Sequence, residues 1–91
     1  MIYVDNYEGK LGRMIMCHML SDNIEELHEF ASKLGLKRSW FQNGSAPHYD
    51  LSKEKRAQAL KLGAIELPIH IDGKPNPKWR EVYNQAKLLK S

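Results

Sequence analysis

A five-residue step, Ala-x-Lys-Leu-Gly, occurs twice in this chain and constrains its fold more than any other feature. It stands at 31–35 in ASKLGLKRS and at 59–63 in ALKLGAIEL. Each copy ends a segment with helical spacing of apolar residues, and its glycine stops the helix before a run that is typical of a strand. Two successive helix–glycine–strand units favour parallel strands joined by right-handed crossovers. The step therefore predicts an α/β fold.

The pattern predicts a small, mostly parallel sheet of about four strands with about three helices, the first strand being attached antiparallel. The strand candidates are IYVD at 2–5, MIMCHML at 14–20, LKRSWF at 36–41 and AIELPIHI at 64–71. The helix candidates run from about Asp22 to Leu34, from about Ser52 to Leu62 and from Pro77 through the tail. Between the third strand and the second helix, QNGSAPHYD at 42–50 is expected to be a loop.

The length and charge of the chain bound what it can be. Ninety-one residues predict a single domain, 1–91, because so short a chain buries only about 60–65% of its unfolded surface. The net charge of +3 favours an anionic partner. No apolar run approaches the roughly 18 residues of a membrane span, and the chain begins directly with the strand-like MIYV. We therefore expect a cytoplasmic protein without membrane contact.

The one cysteine, Cys17, lies in the apolar run MIMCHML. A lone cysteine excludes an internal disulfide, and no CxxC pattern for a metal or redox site is present. We interpret Cys17 as a buried structural thiol that behaves as a small apolar side chain.

Three histidines are expected at the sheet edge where open α/β sheets bind ligands. His18 falls near the end of the second strand, His48 in the loop after the third, and His70 near the end of the fourth. Each could instead be a solvated or hydrogen-bonded residue at a strand end. A metal site built from these three and Asp50 is conceivable, but the residues are dispersed and lack helical i, i+4 spacing. The sequence therefore favours neither a metal nor another cofactor.

The start of the second helix carries cations where first turns prefer acidic residues. Lys53, Lys55 and Arg56 stand there against a single Glu54, and the helix dipole opposes them. A phosphate or carboxylate would turn this cost into a binding site, held by the cations, by free backbone N–H groups and by Ser52. Replacing Lys55 and Arg56 by alanine would then preserve or raise stability. The alternative is that these side chains point into water.

The segment PHYD at 47–50 leads directly into that helix. If it is extended, His48 and Asp50 project to one side and Tyr49 to the other. Asp50 could then fix the tautomer of His48, as a general base or a metal ligand requires, or it could cap the helix instead. In the preceding strand candidate, Arg38 and Trp40 combine a cation with an aromatic ring that could stack on a base.

Several segments together resemble a family of small bacterial and phage domains, domain of unknown function 4031. They are YVD, GRMIMCHMLSD, ELHEFASKLGLKRSWFQ and PHYDLSKEKRAQALKLGA, and they cover roughly residues 2–67. The resemblance implies a phage origin and leaves the activity unassigned. The turn and amphipathic helix at about 68–91 extend beyond the family-like part.

The leading functional prediction is a protein that binds a small phosphate-bearing ligand, with a nucleotide or cyclic nucleotide as the favoured class. In a phage it would act in the host cytoplasm as a sponge for a host immune signal. A homo-oligomer, formed through the C-terminal helix, is expected to complete the pocket. The expected ligand-binding residues are His18, Arg38, Trp40, His48, Tyr49, Ser52, Lys55 and Arg56.

Two other classes of function stay open at this point. One is a phosphodiesterase or nuclease in which His48, assisted by Asp50 or Tyr49, acts as the base or acid. The other is a nucleic-acid-binding or protein-binding adaptor.

Overall fold

A computed structural model describes residues 1–11, 14–43 and 46–89 of the chain. The strands are β1 (Ile2–Val4), β2 (Gly9–Leu11), β3 (Met14–Ser21), β4 (Gln42–Asn43), β5 (Pro47–Ser52), β6 (Ile65–Glu66), β7 (His70–Ile71) and β8 (Lys74–Pro75). The helices are α1 (Ile24–Lys33), α2 (Lys53–Lys61) and α3 (Pro77–Leu88), with one 3₁₀ turn at Arg38–Trp40. Positions 12 and 13, 44 and 45 of the predicted loop, and 90 and 91 of the predicted tail helix lie outside the described residues.

The helices begin and end at residues suited to those positions. The side chain of Asn23 accepts from the backbone N–H of Glu26 at the start of α1, and the hydroxyl of Ser52 accepts from Lys55 at the start of α2. Polar side chains at these positions satisfy N–H groups that have no partner within the helix. Gly35 and Gly63 follow the two helices with φ of 79° and 103°, a conformation that favours glycine. The predicted glycine stops are confirmed.

The main sheet has the strand order β4-β5-β3-β1-β6, with β2 pairing β3. The pairs β4–β5, β5–β3, β3–β1 and β2–β3 are antiparallel, and only β1–β6 is parallel among the pairs of the described sheet. An α/β fold with three helices is therefore correct. The first strand is antiparallel to β3, as predicted, but parallel to β6. The prediction of a mostly parallel sheet is wrong.

The prediction of a parallel sheet failed because other strands lie between the two strands that each helix joins. Because β5 is antiparallel to both β3 and β4, those two strands run in the same direction, and α1 joins them across β5. By the same reasoning α2 joins β5 to β6, which share a direction but are separated by β3 and β1. Both helix–glycine–strand units thus connect parallel strands that are not neighbours.

Two segments differ from their predicted conformations. LKRSWF was expected to be a strand, but its centre forms the 3₁₀ turn, and Arg38 and Trp40 are exposed. PHYDLS was expected to begin as a loop, but it forms β5, the central partner of β3. AIELPIHI is divided into β6 and β7, because Pro68 supplies no N–H for a continuous ladder.

The two faces of the sheet are covered differently. The first face packs against α1 and α2 in one apolar cluster that includes Val4, Met19, Leu27 and Leu51. The second face packs against α3 in a smaller cluster, whose members are Tyr3, Leu20, Ala46, Leu67, Val82 and Ala86. The smaller cluster covers only part of its face, and the polar side chains described below occupy the neighbouring positions.

Cys17 lies on the first face and is buried, as expected from its apolar run. Burial raises the pKa of its thiol to about 11, and the charge of Asp5 acts in the same direction. Within the described residues, no helix combines the length and the apolar character needed to cross a bilayer.

The C-terminal helix packs on its own sheet, since Val82 and Ala86 of α3 are buried against the second face. Val82→Ala should therefore lower the free energy of unfolding by about 1.5–3 kcal/mol, through lost apolar burial and the cavity left behind. Urea denaturation followed by circular dichroism measures this change. Gln85→Ala, an exposed position on the same helix, is the control and should change stability by less than about 0.5 kcal/mol. Equal effects of the two substitutions would contradict this packing.

Candidate metal centre

Asp5, His18 and Asp50 stand in one row on the second face, where β1, β3 and β5 lie side by side. His18 of β3 stands directly opposite Asp50 of β5 in the antiparallel register. On the other side of β3, Asp5 follows β1, and its N–H donates to the carbonyl oxygen of His18 at 3.0 Å. His48 precedes Asp50 by two residues and therefore projects from the same face.

The side chains of His18, His48 and Asp50 converge closely enough to share one ion. One ligand atom from each lies within 4.8 Å of the other two. Asp50 Oδ1 is 3.4 Å from His48 Nε2 and 3.9 Å from His18 Nε2. The three side chains are 30%, 17% and 29% exposed in that order, so the cluster is shielded but open to a ligand.

Each side chain of the cluster makes a hydrogen bond through an atom that is not one of the three converging ligand atoms. His18 Nδ1 lies 2.8 Å from Asp5 Oδ2, and His48 Nδ1 lies 2.7 Å from the carbonyl oxygen of Ala46. An ionised carboxylate and a carbonyl accept only, so both Nδ1 atoms carry the proton and donate it. Gln42 Nε2 donates to Asp50 Oδ2 at 2.6 Å.

In the neutral tautomer that these partners favour, each imidazole directs its Nε2 lone pair at the cluster. Histidines that ligate metals in proteins almost always donate the other ring N–H to a carboxylate or carbonyl, which fixes the tautomer and orientation. The hydrogen bond with Asp5 raises the pKa of His18, while burial of the ring acts in the opposite direction. In the metal-free protein the same hydrogen bond therefore also stabilises the imidazolium form.

Two aromatic contacts fix the ring planes further. The Tyr7 ring stacks on His18 with centroids 4.7 Å apart and an interplanar angle of 14°. The rings of His18 and His48 meet edge to face at 4.9 Å.

Two cavities flank the cluster. The first, named here the Trp79 cavity, has a volume of about 480 Å³ and is lined by Tyr7, His18, His48, His70, Trp79 and Tyr83 among others. The second, named here the Trp40 cavity, has a volume of about 570 Å³ and is lined by Trp40, Phe41, Gln42, Asp50, Ser52 and Lys55 among others. His18 and His48 border the first cavity and Asp50 borders the second, so the cluster lies between them.

The sequence of this chain matches one protein family. The family model described as "Protein of unknown function (DUF4031)" matches residues 2–74. The chain belongs to the DUF4031 family. The match confirms the resemblance and extends it beyond residue 67 to the turn between β7 and β8, while α3 lies outside it. No curated protein and no solved structure matches the chain.

The matched part of this DUF4031 protein contains the whole cluster and its partners. His18, His48 and Asp50 fall inside it, as do Asp5 and Gln42. His70, which the sequence placed in the same conceivable metal set, is also inside the match but lines the Trp79 cavity instead of joining the cluster.

Two of the cations at the start of α2, Lys55 and Arg56, have partners within the chain. Lys55 Nζ donates to the carbonyl oxygen of Leu34 at 2.7 Å, at the C-terminal end of α1. Arg56 Nε donates to the carbonyl oxygen of Asp5 at 3.0 Å, and its Nη2 lies 3.5 Å from Glu66 Oε1. These contacts offset part of the opposition of the α2 dipole, and the anion site at this helix start stays a prediction.

The remaining predicted binding residues occupy three other environments. Trp40 is 51% exposed, with Lys37 Nζ 5.7 Å from its ring centroid. The guanidinium carbon of Arg38 lies 5.1 Å from the ring centroid of Phe41. Tyr49 is buried on the first face of the sheet, where its hydroxyl is 2.8 Å from His28 Nδ1, and burial raises its pKa. The structure therefore does not bring Tyr49 to His48 and Asp50.

Sequence reasoning missed four contributors, namely Asp5, Gln42, Ala46 and Trp79. Asp5 and Gln42 could have been found if the strands had been paired in antiparallel order. With β1 and β5 both antiparallel to β3, Asp5 and Asp50 fall on either side of His18, and Gln42 pairs with His48. A carbonyl partner such as that of Ala46 depends on backbone geometry and has no signature in the sequence.

The contact from Lys55 to Leu34 gives a stability prediction opposite in sign to the one drawn from the helix dipole alone. Lys55→Ala should lower the free energy of unfolding by about 1 kcal/mol, because a charged donor is lost from the end of α1. Lys53→Ala is the matched control, since it removes an exposed cation from the same first turn and should leave stability equal or slightly higher. Urea denaturation of both variants makes the comparison, and a Lys55→Ala protein as stable as the control would contradict the structural role.

Proposed function

We propose that this protein binds one divalent transition metal ion through His18 Nε2, His48 Nε2 and the Asp50 carboxylate, and that it hydrolyses a phosphodiester there. The observation that carries the proposal is the pair of imidazoles whose Nδ1 atoms both donate to fixed acceptors, so that both Nε2 atoms face Asp50. That arrangement brings three ligand atoms within 4.8 Å of one another, so that small side-chain shifts would bring them to the ligation distance of one ion.

The donor set narrows the choice of metal and the kind of site. Imidazole suits zinc, iron, copper and nickel, and two histidines with one carboxylate are a common catalytic set for zinc and for iron(II). Structural zinc sites are closed by four protein ligands, whereas catalytic sites keep a position for water or substrate. Three ligand atoms beside two cavities support a catalytic site of the second kind.

The chemistry of such a site follows from its surroundings. A bound divalent ion lowers the pKa of its water to about 7 and polarises a phosphoryl oxygen. Asp5 and the carbonyl oxygen of Ala46 orient the two imidazoles, and Gln42 orients the Asp50 carboxylate. The net charge of +3 and the presence of Lys55 in the Trp40 cavity favour approach of an anionic ester.

Sequestration of an intact nucleotide is the second candidate function. The aromatic side chains of both cavities favour it, because Trp79 and Trp40 offer ring surfaces to a base whether or not a bond is broken. In this version the metal and the cavities hold the ligand, as a sponge for a signalling nucleotide requires. Completion of the pocket by a second copy of the chain remains part of that proposal.

The metal site is tested by calorimetric titration of zinc into protein stripped with a chelator. We expect saturation at one ion per chain, and loss of at least tenfold in affinity for His18→Ala, His48→Ala and Asp50→Ala. Gln42→Ala, at an exposed position, removes only the partner of Asp50 and should cost about tenfold.

His28→Gln is the matched control for these substitutions, because it removes a histidine that contacts Tyr49 on the opposite face. It should bind zinc as the unmodified protein does. Full affinity in the His18→Ala and His48→Ala proteins would rule out the site.

Turnover separates the two candidate functions. The zinc-loaded protein should hydrolyse bis(p-nitrophenyl) phosphate at a rate that EDTA abolishes and added zinc restores, with the Asp50→Ala protein inactive. Absorbance of released p-nitrophenolate measures the rate, and His28→Gln again serves as control. A rate unaffected by EDTA would contradict metal-dependent hydrolysis. Metal binding without turnover, with intact nucleotide recovered after denaturation, would favour sequestration.

A further inference from the structure

We infer that the ligand of this site is a phosphodiester that joins two nucleosides, with one base in the Trp79 cavity and the second nucleotide in the Trp40 cavity. The inference rests on the proposed metal site and names the class of ligand that would occupy it. The shared chemistry is a dinucleotide linkage, whether in a linear strand or in a cyclic dinucleotide.

The position of the cluster between two cavities is the first step of the argument. His18 and His48 border the Trp79 cavity, and Asp50 borders the Trp40 cavity, yet their ligand atoms lie within 4.8 Å of one another. A phosphate held at the cluster therefore has a cavity on each side. Both volumes, about 480 and 570 Å³, fall within the range of about 300–1,000 Å³ that is usual for ligand pockets. A mononucleotide would fill only one of them.

The Trp79 cavity has the character of a base pocket. Within the described residues, its lining contains no lysine or arginine, and Tyr7, Trp79 and Tyr83 supply aromatic surface. Trp79 and Tyr83 stack on each other with centroids 4.9 Å apart.

The indole nitrogen of Trp79 is a donor left unpaired by the described part of the chain, on a residue that lines this cavity. Trp79 Nε1 is a buried donor without an acceptor among the described residues. Buried donors in folded proteins are nearly always paired, so an unpaired one requires an explanation. A carbonyl oxygen or ring nitrogen of a base would supply the missing acceptor.

The Trp40 cavity differs in that its lining includes a lysine, together with the Asp50 carboxylate. Lys55 lines it, and Lys37 Nζ lies over the half-exposed ring of Trp40. A ring for stacking beside positive charge suits a nucleotide that continues the anionic backbone. Each cavity thus offers an aromatic surface to one of the two nucleosides that an internucleotide phosphate joins, and the Trp40 cavity adds a lysine.

The test compares phosphodiester ligands on the zinc-loaded protein by equilibrium dialysis, with chromatography of both compartments to count cleaved and intact ligand. The linear dinucleotide and the one-base ester carry one diester charge each, and the cyclic dinucleotide carries two. The ligands are thymidylyl-thymidine, cyclic di-adenylate and the methyl ester of thymidine 5′-monophosphate, which has one base. We expect one of the two dinucleotides to bind at least about tenfold more tightly than the one-base ester, the size of one base–aromatic stack. Preference for the linear form identifies a strand as the source, and preference for the cyclic form identifies a signalling nucleotide.

Two substitutions assign the cavities. Trp40→Leu should reduce dinucleotide affinity to that of the one-base ester and leave the ester unchanged. Trp79→Phe keeps a ring but removes the indole N–H, and should weaken both ligands.

Three results would count against the inference. Equal binding of dinucleotides and one-base ester by protein that holds zinc would overturn it and leave the proposed metal site standing. A dinucleotide preference that survives Trp40→Leu would also overturn it. Absence of zinc binding would overturn the proposed function, and the inference with it.

Discussion

The buried carboxylate of Asp5 is the interaction on which the candidate site depends. Its side chain is 1% exposed, and its oxygens accept hydrogen bonds from the backbone N–H groups of Tyr7 and His18 and from His18 Nδ1. A buried charge without such partners would be costly, so these bonds largely determine where the chain leaves β1. The same bonds hold His18 in one tautomer, and Tyr7 stacks on the ring so positioned. The Asp5 side chain thus binds the backbone after β1 and within β3 and also orients His18 in the cluster.

Arg56 extends this interaction to the far side of the sheet. Its guanidinium donates to the carbonyl oxygen of Asp5 and contacts Glu66 of β6. A cation that sequence reasoning assigned to an external phosphate therefore secures the backbone from which the key carboxylate projects. Arg56 of α2 thus supports the candidate site through the backbone of Asp5, from the first face of the sheet.

Successive side chains of β5 point to opposite faces, so its core residues lie on one face and its residues of the candidate site on the other. In β5, Pro47, Tyr49 and Leu51 are buried on the first face, whereas His48 and Asp50 face the cavities. The expectation that His48 and Asp50 share a side opposite Tyr49, given an extended segment, follows from the two-residue period and agrees with this pattern. What the sequence could not indicate is that the segment is a central strand, because proline and aspartate are uncommon in such strands. Its apolar residues alternate over only six positions, and the neighbouring Gly and Ser favoured a loop.

The sequence by itself determined the α/β class, the helix limits at Gly35 and Gly63, and the buried position of Cys17. These follow from local causes, namely backbone sterics at glycine and the apolar character of short segments. The tertiary structure alone decided which strands are neighbours, and with it that Asp5, His18 and Asp50 stand in one row. Which strands become neighbours depends on where every hairpin and crossover connection places its strands in the sheet. No short segment of the sequence encodes that order. The convergence of His18, His48 and Asp50, on which the proposed metal site rests, is a product of that pairing.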